Sequence, residues 1–231
     1  MRKINFLFYM ALAGFMFVGC NEIDNYDAPG ETLTGSVIDE ITNEPIVTEQ
    51  PNGFRIKMSE VSWSENPQPE YFWGKADGTF NNTKIFKGTY EITPVEGAFF
   101  PVEPITKEIK GSVSVDFKVT PYLSVMASDI SMSNGVLNVS YTISRSKVSD
   151  KIIDARVFVS TNPSVGTNIL INDFSPLKDL SEIDDTEILK TTFKESIEGL
   201  DKNKTYYVRV GARTNNSSKR YNFTKIVTLK P

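Results

Sequence analysis

The chain has 231 residues, a formal net charge of −4, no histidine and one cysteine. Without histidine there is no imidazole general base, no Ser-His-Asp or Cys-His arrangement, and no usual zinc or copper ligand set. Phosphate-cradling glycine loops and basic clusters are also missing, which argues against nucleotides and nucleic acid as partners. Carboxylate chemistry, oxygen-ligated calcium and binding without catalysis are the classes that survive.

Arg2 and Lys3 form a short positive start, followed by an apolar run from Ile4 to Val18 that ends at Gly19-Cys20. This pattern predicts an export leader over residues 1–19, since the run is too short to span a bilayer comfortably. Phe17-Val18-Gly19-Cys20 resembles a bacterial lipobox, with Phe17 where Leu is usual. The resemblance implies cleavage before Cys20 and lipidation of its thiol. No second cysteine exists to form a disulfide with it. Residues 20–31 are polar and acidic, with Glu22, Asp24 and Asp27 close behind Cys20, and read as a tether without a core. That acidic cluster resembles the signal that sends lipoproteins to the outer face of the outer membrane. The expected location is therefore a lipid-anchored protein on the cell exterior, touching the membrane through its anchor only.

From Leu33 onward the chain reads as strands. Phe54, Ile56 and Met58 alternate with Arg55 and Lys57, and Val113, Val115, Phe117 and Val119 alternate in the same way. Period two marks half-buried strands, and Asn43-Glu44-Pro45, Asp77-Gly78, Lys87-Gly88 and Lys110-Gly111 supply turns between them. Residues 61–74, VSWSENPQPEYFWG, hold both tryptophans among two prolines. Sugars present apolar C–H faces that lie on aromatic rings, so Trp63, Tyr71 and Trp73 are the candidate glycan-binding residues. The competing reading makes Tyr71, Phe72 and Trp73 a strand whose rings fill the sandwich or the domain junction; Trp63, amid Ser, Glu and Asn, is open to either.

Gly35-Ser-Val-Ile-Asp39, Asn43-Glu44-Pro45-Ile46, Ala76-Asp77-Gly78-Thr79-Phe80 and Phe86-Lys87-Gly88-Thr89-Tyr90 resemble, in order, the motifs of carboxypeptidase-regulatory-like domains. The resemblance implies a seven-stranded transthyretin-like sandwich over residues 32–121 that works as a spacer or docking module.

After Thr120-Pro121-Tyr122 the strands resume. Leu137, Val139, Tyr141 and Ile143 alternate with polar neighbours, as do Ile153, Ala155, Val157 and Val159, and then Tyr221, Phe223, Val227 and Leu229. One helix is predicted around Ser175 to Asp185, before a strand from Ile188 to Ile197. Asp179, Glu182, Asp184 and Asp185 are either calcium ligands or a solvated helix end; they lack the spacing of a calcium loop. Leu200-x5-Tyr206-x-Val208-x-Val210 resembles a fibronectin type III strand. It implies that Leu200 and Tyr206 are structural, the tyrosine hydroxyl bonding to upstream backbone. Residues 122–231 are thus a second, fibronectin III-like sandwich, and the fold class is all-β with two β-sandwiches in tandem.

The whole order, lipobox, acidic tether, regulatory-like sandwich and fibronectin-like sandwich, resembles a Bacteroidota lipoprotein family of unknown function associated with polysaccharide-utilisation systems. The resemblance implies a non-enzymatic accessory or glycan-binding protein with no cofactor or metal. Its implied partners are a polysaccharide or oligosaccharide and outer-membrane transporter components. The alternative is a structural spacer or adhesin-type module that docks other envelope proteins through open strand edges.

Overall fold

The computed structural model describes residues 27–148 and 150–230; the leader, the lipobox and Cys20 lie outside them. The first domain holds β1 (Glu31–Asp39), β2 (Arg55–Glu60), β3 (Glu70–Trp73), β4 (Thr79–Ile85), β5 (Gly88–Val95), β6 (Ile105–Ile109), β7 (Ser112–Ser114) and β8 (Phe117–Val119). One sheet runs β4-β1-β7, with β8 also pairing β1, and the other runs β3-β2-β5-β6. The two sheets face each other across Leu33, Val37, Phe54, Ile56, Phe80, Ile92 and Phe117, all buried. Each such apolar side chain stabilises the fold by about 1.5–3 kcal/mol relative to exposure.

The second domain holds β9 (Ser124–Ser133), β10 (Val136–Ser144), β11 (Ile152–Ser160), β12 (Leu177–Asp179), α1 (Asp185–Ile188), β13 (Thr192–Ile197), β14 (Tyr206–Thr214), β15 (Asn222–Phe223) and β16 (Val227–Leu229). A sheet β13-β10-β9 packs on a sheet β12-β11-β14-β15, with β16 also pairing β14. Leu137, Val139, Tyr141 and Ile143 fill the core from one side, and Val157, Val159, Val208 and Val210 from the other. Asn134 and Gly135, at φ 51° and 80°, turn β9 into β10. Two successive left-handed residues match the twist of a two-residue hairpin, which is why an Asn-Gly pair sits there.

Three expectations change in this domain. The helix over 175–185 is replaced by the strand β12 and the four-residue α1. Pro176 offers no N–H to a helix, and Asp184 caps α1 instead, accepting from Thr186 N–H at 2.8 Å. The strand after it spans Thr192–Ile197, because Ile188 ends α1 and its chain turns through Thr191. In β11 a register shift between Ile152 and Asp154 reverses the alternation, so Ile152, and not Ile153, joins the core with Ala155 and Val157.

Three of the four carboxylates weighed for calcium, Asp179, Asp184 and Asp185, are held by hydrogen bonds or ion pairs. Asp179 accepts from Ser181 N–H at 2.9 Å, and Asp185 pairs with Arg145 at 3.0 Å and Lys151 at 3.2 Å. The hydroxyl bonds of Ser181 and Thr186 hold the Asp179 and Asp184 carboxyls below the usual range. Among the described residues, no group of three or more His, Cys, Asp or Glu side chains is placed to hold a metal ion.

Tyr206 and Leu200 are both buried. The Tyr206 hydroxyl accepts from Asp201 N–H at 3.0 Å, five residues upstream, and the ring meets Phe174 edge-on at 6.4 Å. Tyr206→Phe leaves that N–H without its acceptor and is expected to lose about 1 kcal/mol, a fall of roughly 2–4 °C in melting temperature. An unchanged thermal midpoint would remove the hydroxyl from the account of this turn.

Candidate functional site

The aromatic insertion begins where β2 ends. Val61 N–H donates to Thr89 O at 2.8 Å, Thr89 N–H donates to the Ser62 hydroxyl at 2.7 Å, and Ser62 N–H donates to Glu60 at 2.9 Å. These bonds fasten the base of the loop to the start of β5. The chain then returns as β3, in register with β2: Glu70 opposite Met58, Tyr71 opposite Lys57, Phe72 opposite Ile56, and Trp73 opposite Arg55.

Strand alternation divides the insertion between two surfaces. Phe72 points inward and meets Phe80 edge-on at 6.2 Å. Tyr71 and Trp73 point outward, each 43% exposed. The Arg55 guanidinium lies 4.4 Å from the Tyr71 ring and 5.6 Å from the Trp73 ring, and it is held there by the Glu96 carboxylate, with Nε–Oε2 at 2.7 Å. Trp63 stands apart from both. It is 72% exposed in the loop and lines an open cleft of about 780 Å³ at one end of the sandwich. The structure therefore does not bring Trp63, Tyr71 and Trp73 onto one platform.

The cleft has an aromatic wall and an acidic rim. Trp63, Phe86 and Tyr90 supply the rings, and Glu60, Gln68 and Glu70 supply polar groups around them. Met58 and Tyr90 belong to the buried core and form the floor of the cleft; the Tyr90 hydroxyl donates to the backbone Phe86 O at 3.0 Å, fixing the Tyr90 ring against the Lys87-Gly88 turn. Burial, and then the nearby charges of Glu60 and Glu70, push the Tyr90 phenol up to about 12. It stays a neutral donor at any physiological pH. A concave, ring-walled space with a few polar groups is suited to holding a sugar, with rings under the C–H face and acceptors at the hydroxyl edge.

Phe86 and Tyr90 were not among the predicted site residues. They flank the Lys87-Gly88 turn, where the motif reads only as a strand start. Their signal is two rings on either side of a tight turn, but only the fold shows that this turn borders the loop carrying Trp63. A second groove, of about 480 Å³, lies between the domains beside Pro45, Pro121 and Met126; its one ring, Phe223, is buried, so it lacks an exposed stacking surface.

The domain junction is itself built. Arg209, on β14, is 1% exposed and reaches into the first domain, donating to Thr48 O at 2.6 Å with its guanidinium 3.7 Å above the Phe223 ring. Its Nη2 lies 4.0 Å from the Glu49 carboxylate, which also accepts from Thr167 N–H at 2.7 Å. Burial lowers the Arg209 pKa to about 10, an effect Glu49 opposes, so the side chain stays charged at neutral pH. A Cβ on Gly166 would lie 2.6 Å from both partners, so a larger residue there would push the pair aside.

Two family models match. The model described as protein of unknown function (DUF3823) N-terminal domain covers residues 31–120, and the one described as domain of unknown function (DUF3823_C) covers residues 123–228. No curated protein matches the chain. A solved DUF3823 family protein from Bacteroides uniformis is 26% identical, with a TM-score of 0.78 over 87% of this chain and 99% of its own. A candidate carbohydrate-binding protein from the same species is 24% identical, with a TM-score of 0.74 over 88% of this chain and 100% of its own. A DUF3823 family protein from Parabacteroides merdae is 22% identical, with a TM-score of 0.70 over 88% of this chain and 100% of its own. The last two likenesses concern the fold alone. With one half matching the N-terminal model and the other the C-terminal model, the chain belongs to the DUF3823 family, whose function is unknown.

Proposed function

We propose that this protein is a non-enzymatic saccharide-binding or accessory component of a polysaccharide-utilisation system, anchored by lipid at Cys20 to the outer membrane and facing the cell exterior. The observation that carries the binding half is the cleft lined by the exposed rings of Trp63 and Phe86, with Tyr90 in its floor. A protein of the same fold described as a candidate carbohydrate-binding protein supports it. Outer-membrane transporter components are the proposed protein partners, on the resemblance of the chain's overall order alone.

A glycan array probed with residues 21–231 tests the reading. Stacking on an exposed indole contributes about 1–2 kcal/mol, by analogy with other ring contacts. Trp63→Ala should therefore fold normally and lose roughly tenfold or more in affinity for every array hit. Trp73→Ala should also fold, because its ring lies on the outer face against Arg55, and it should keep cleft binding. If binding disappears only in Trp73→Ala, the site is the outer face; if both variants bind like the parent, the cleft is not the site. The anchor has its own test: Cys20→Ala should abolish palmitate incorporation and leave a soluble or leader-retaining protein, and palmitate still entering the mutant would refute it.

A further inference from the structure

The cleft is acidic on nearly every side. Glu60 and Glu70 rise from β2 and β3, Asp27 and Glu31 border the opposite side, and Lys87 is the only cationic side chain lining it among the described residues. Ionised carboxylates accept hydrogen bonds and donate none. Two of these carboxylates are already fixed by backbone: Glu60 accepts from Ser62 N–H at 2.9 Å, and Glu31 accepts from Gly111 N–H. The negative field reaches the floor, where Glu60 and Glu70 add to the effect of burial on the Tyr90 hydroxyl. A ligand that brings donors is therefore favoured, and any negative charge it carries meets mostly like charge in a partly enclosed space of lowered dielectric. An amine is favoured, because the carboxylates can pair with it.

We propose that the cleft selects saccharides by charge, accepting neutral and amine-bearing sugars, binding the amine-bearing ones most tightly, and rejecting polymers that carry uronate or sulfate. This rests on the saccharide reading of the same cleft and narrows it to a ligand class. The aromatic wall alone would accept any hexose, and the carboxylates decide between them.

The test titrates the full chain with three soluble oligosaccharides of equal length: β-linked glucosamine, β-linked glucose and galacturonate. The glucosamine oligomer should bind at least about tenfold more tightly than the glucose oligomer at low salt, an advantage that shrinks by 0.5 M sodium chloride as charges are screened. Galacturonate should show no binding. In the Glu60→Gln, Glu70→Gln double variant the amine preference should fall to within about threefold, because the amides keep the shape and lose the charge. Galacturonate binding as tightly as the glucose oligomer would overturn charge selection while leaving the saccharide reading in place. Glucosamine binding that survives in a folded Trp63→Ala variant would assign it to general surface charge and overturn the cleft assignment. Failure of all three oligomers to bind would overturn both readings together.

Discussion

Arg209→Ala should lower the thermal midpoint of the whole protein by roughly 10 °C, a loss of about 3–5 kcal/mol, the range for removing one partner of a buried ion pair. The substitution leaves the Glu49 carboxylate buried with Thr167 as its remaining donor, and it strips Thr48 O of its 2.6 Å bond and Phe223 of the cation above its ring. The Arg209 Nε finds no acceptor among the described residues, so the native guanidinium is incompletely satisfied. Removing both charges with similar volume, as Arg209→Met with Glu49→Gln, should therefore cost less than the two single variants added together. Differential scanning calorimetry of the cycle decides it: a near-unchanged midpoint for Arg209→Ala, or an additive cycle, would show that the pair does not hold the junction.

Gly35→Ala should destabilise the first domain by about 3 kcal/mol, a fall of roughly 6–12 °C. A Cβ at this position would lie 1.8 Å from the Val115 carbonyl oxygen and 2.5 Å from the Phe80 ring. The ring could turn, but the carbonyl belongs to a segment fixed against β1 by Val115 N–H donating to Thr34 O at 2.9 Å. The strands must separate or the peptide must tilt. Urea denaturation measures the loss, and a variant as stable as the parent would mean that the crossing of β1 and the segment through Val115 is looser than described.

The same glycine shows how far the sequence carries. Gly35 stands out as the first residue of a recognisable motif, yet its reason, a backbone crossing from a segment eighty residues later, is a tertiary fact. Period-two runs placed the strands because one face of each sheet meets a core. Alternation says less about β14, where Tyr206, Val208 and Val210 mark one core face but Arg209 is buried as well. That strand is buried on both faces, the second against Phe158, Val165 and Phe223 with Val47 of the first domain beside them. The candidate rings split for a related reason. Trp63, Tyr71 and Trp73 are close in sequence, but Tyr71 and Trp73 lie on the outer face of the four-residue β3 while Trp63 stays in the loop before it, so they reach different surfaces. The short α1 replaces the predicted helix because the carboxylate-rich segment around it serves caps and turns as readily as a longer helix.

The guanidinium that crosses the junction also bears on how such proteins diversify. Two sandwiches joined by a few residues invite recombination, in which one lineage keeps its ligand-contacting half and exchanges the other. Here an exchanged C-terminal half must bring a cation at the position of Arg209 and a glycine at that of Gly166, and the retained half must bring an acceptor loop matching residues 47–53. A chimera lacking either element inherits a buried charge with no counterpart at the junction. The halves of this architecture are therefore expected to be inherited as matched pairs, and a graft onto another scaffold should carry the loop and its arginine across together.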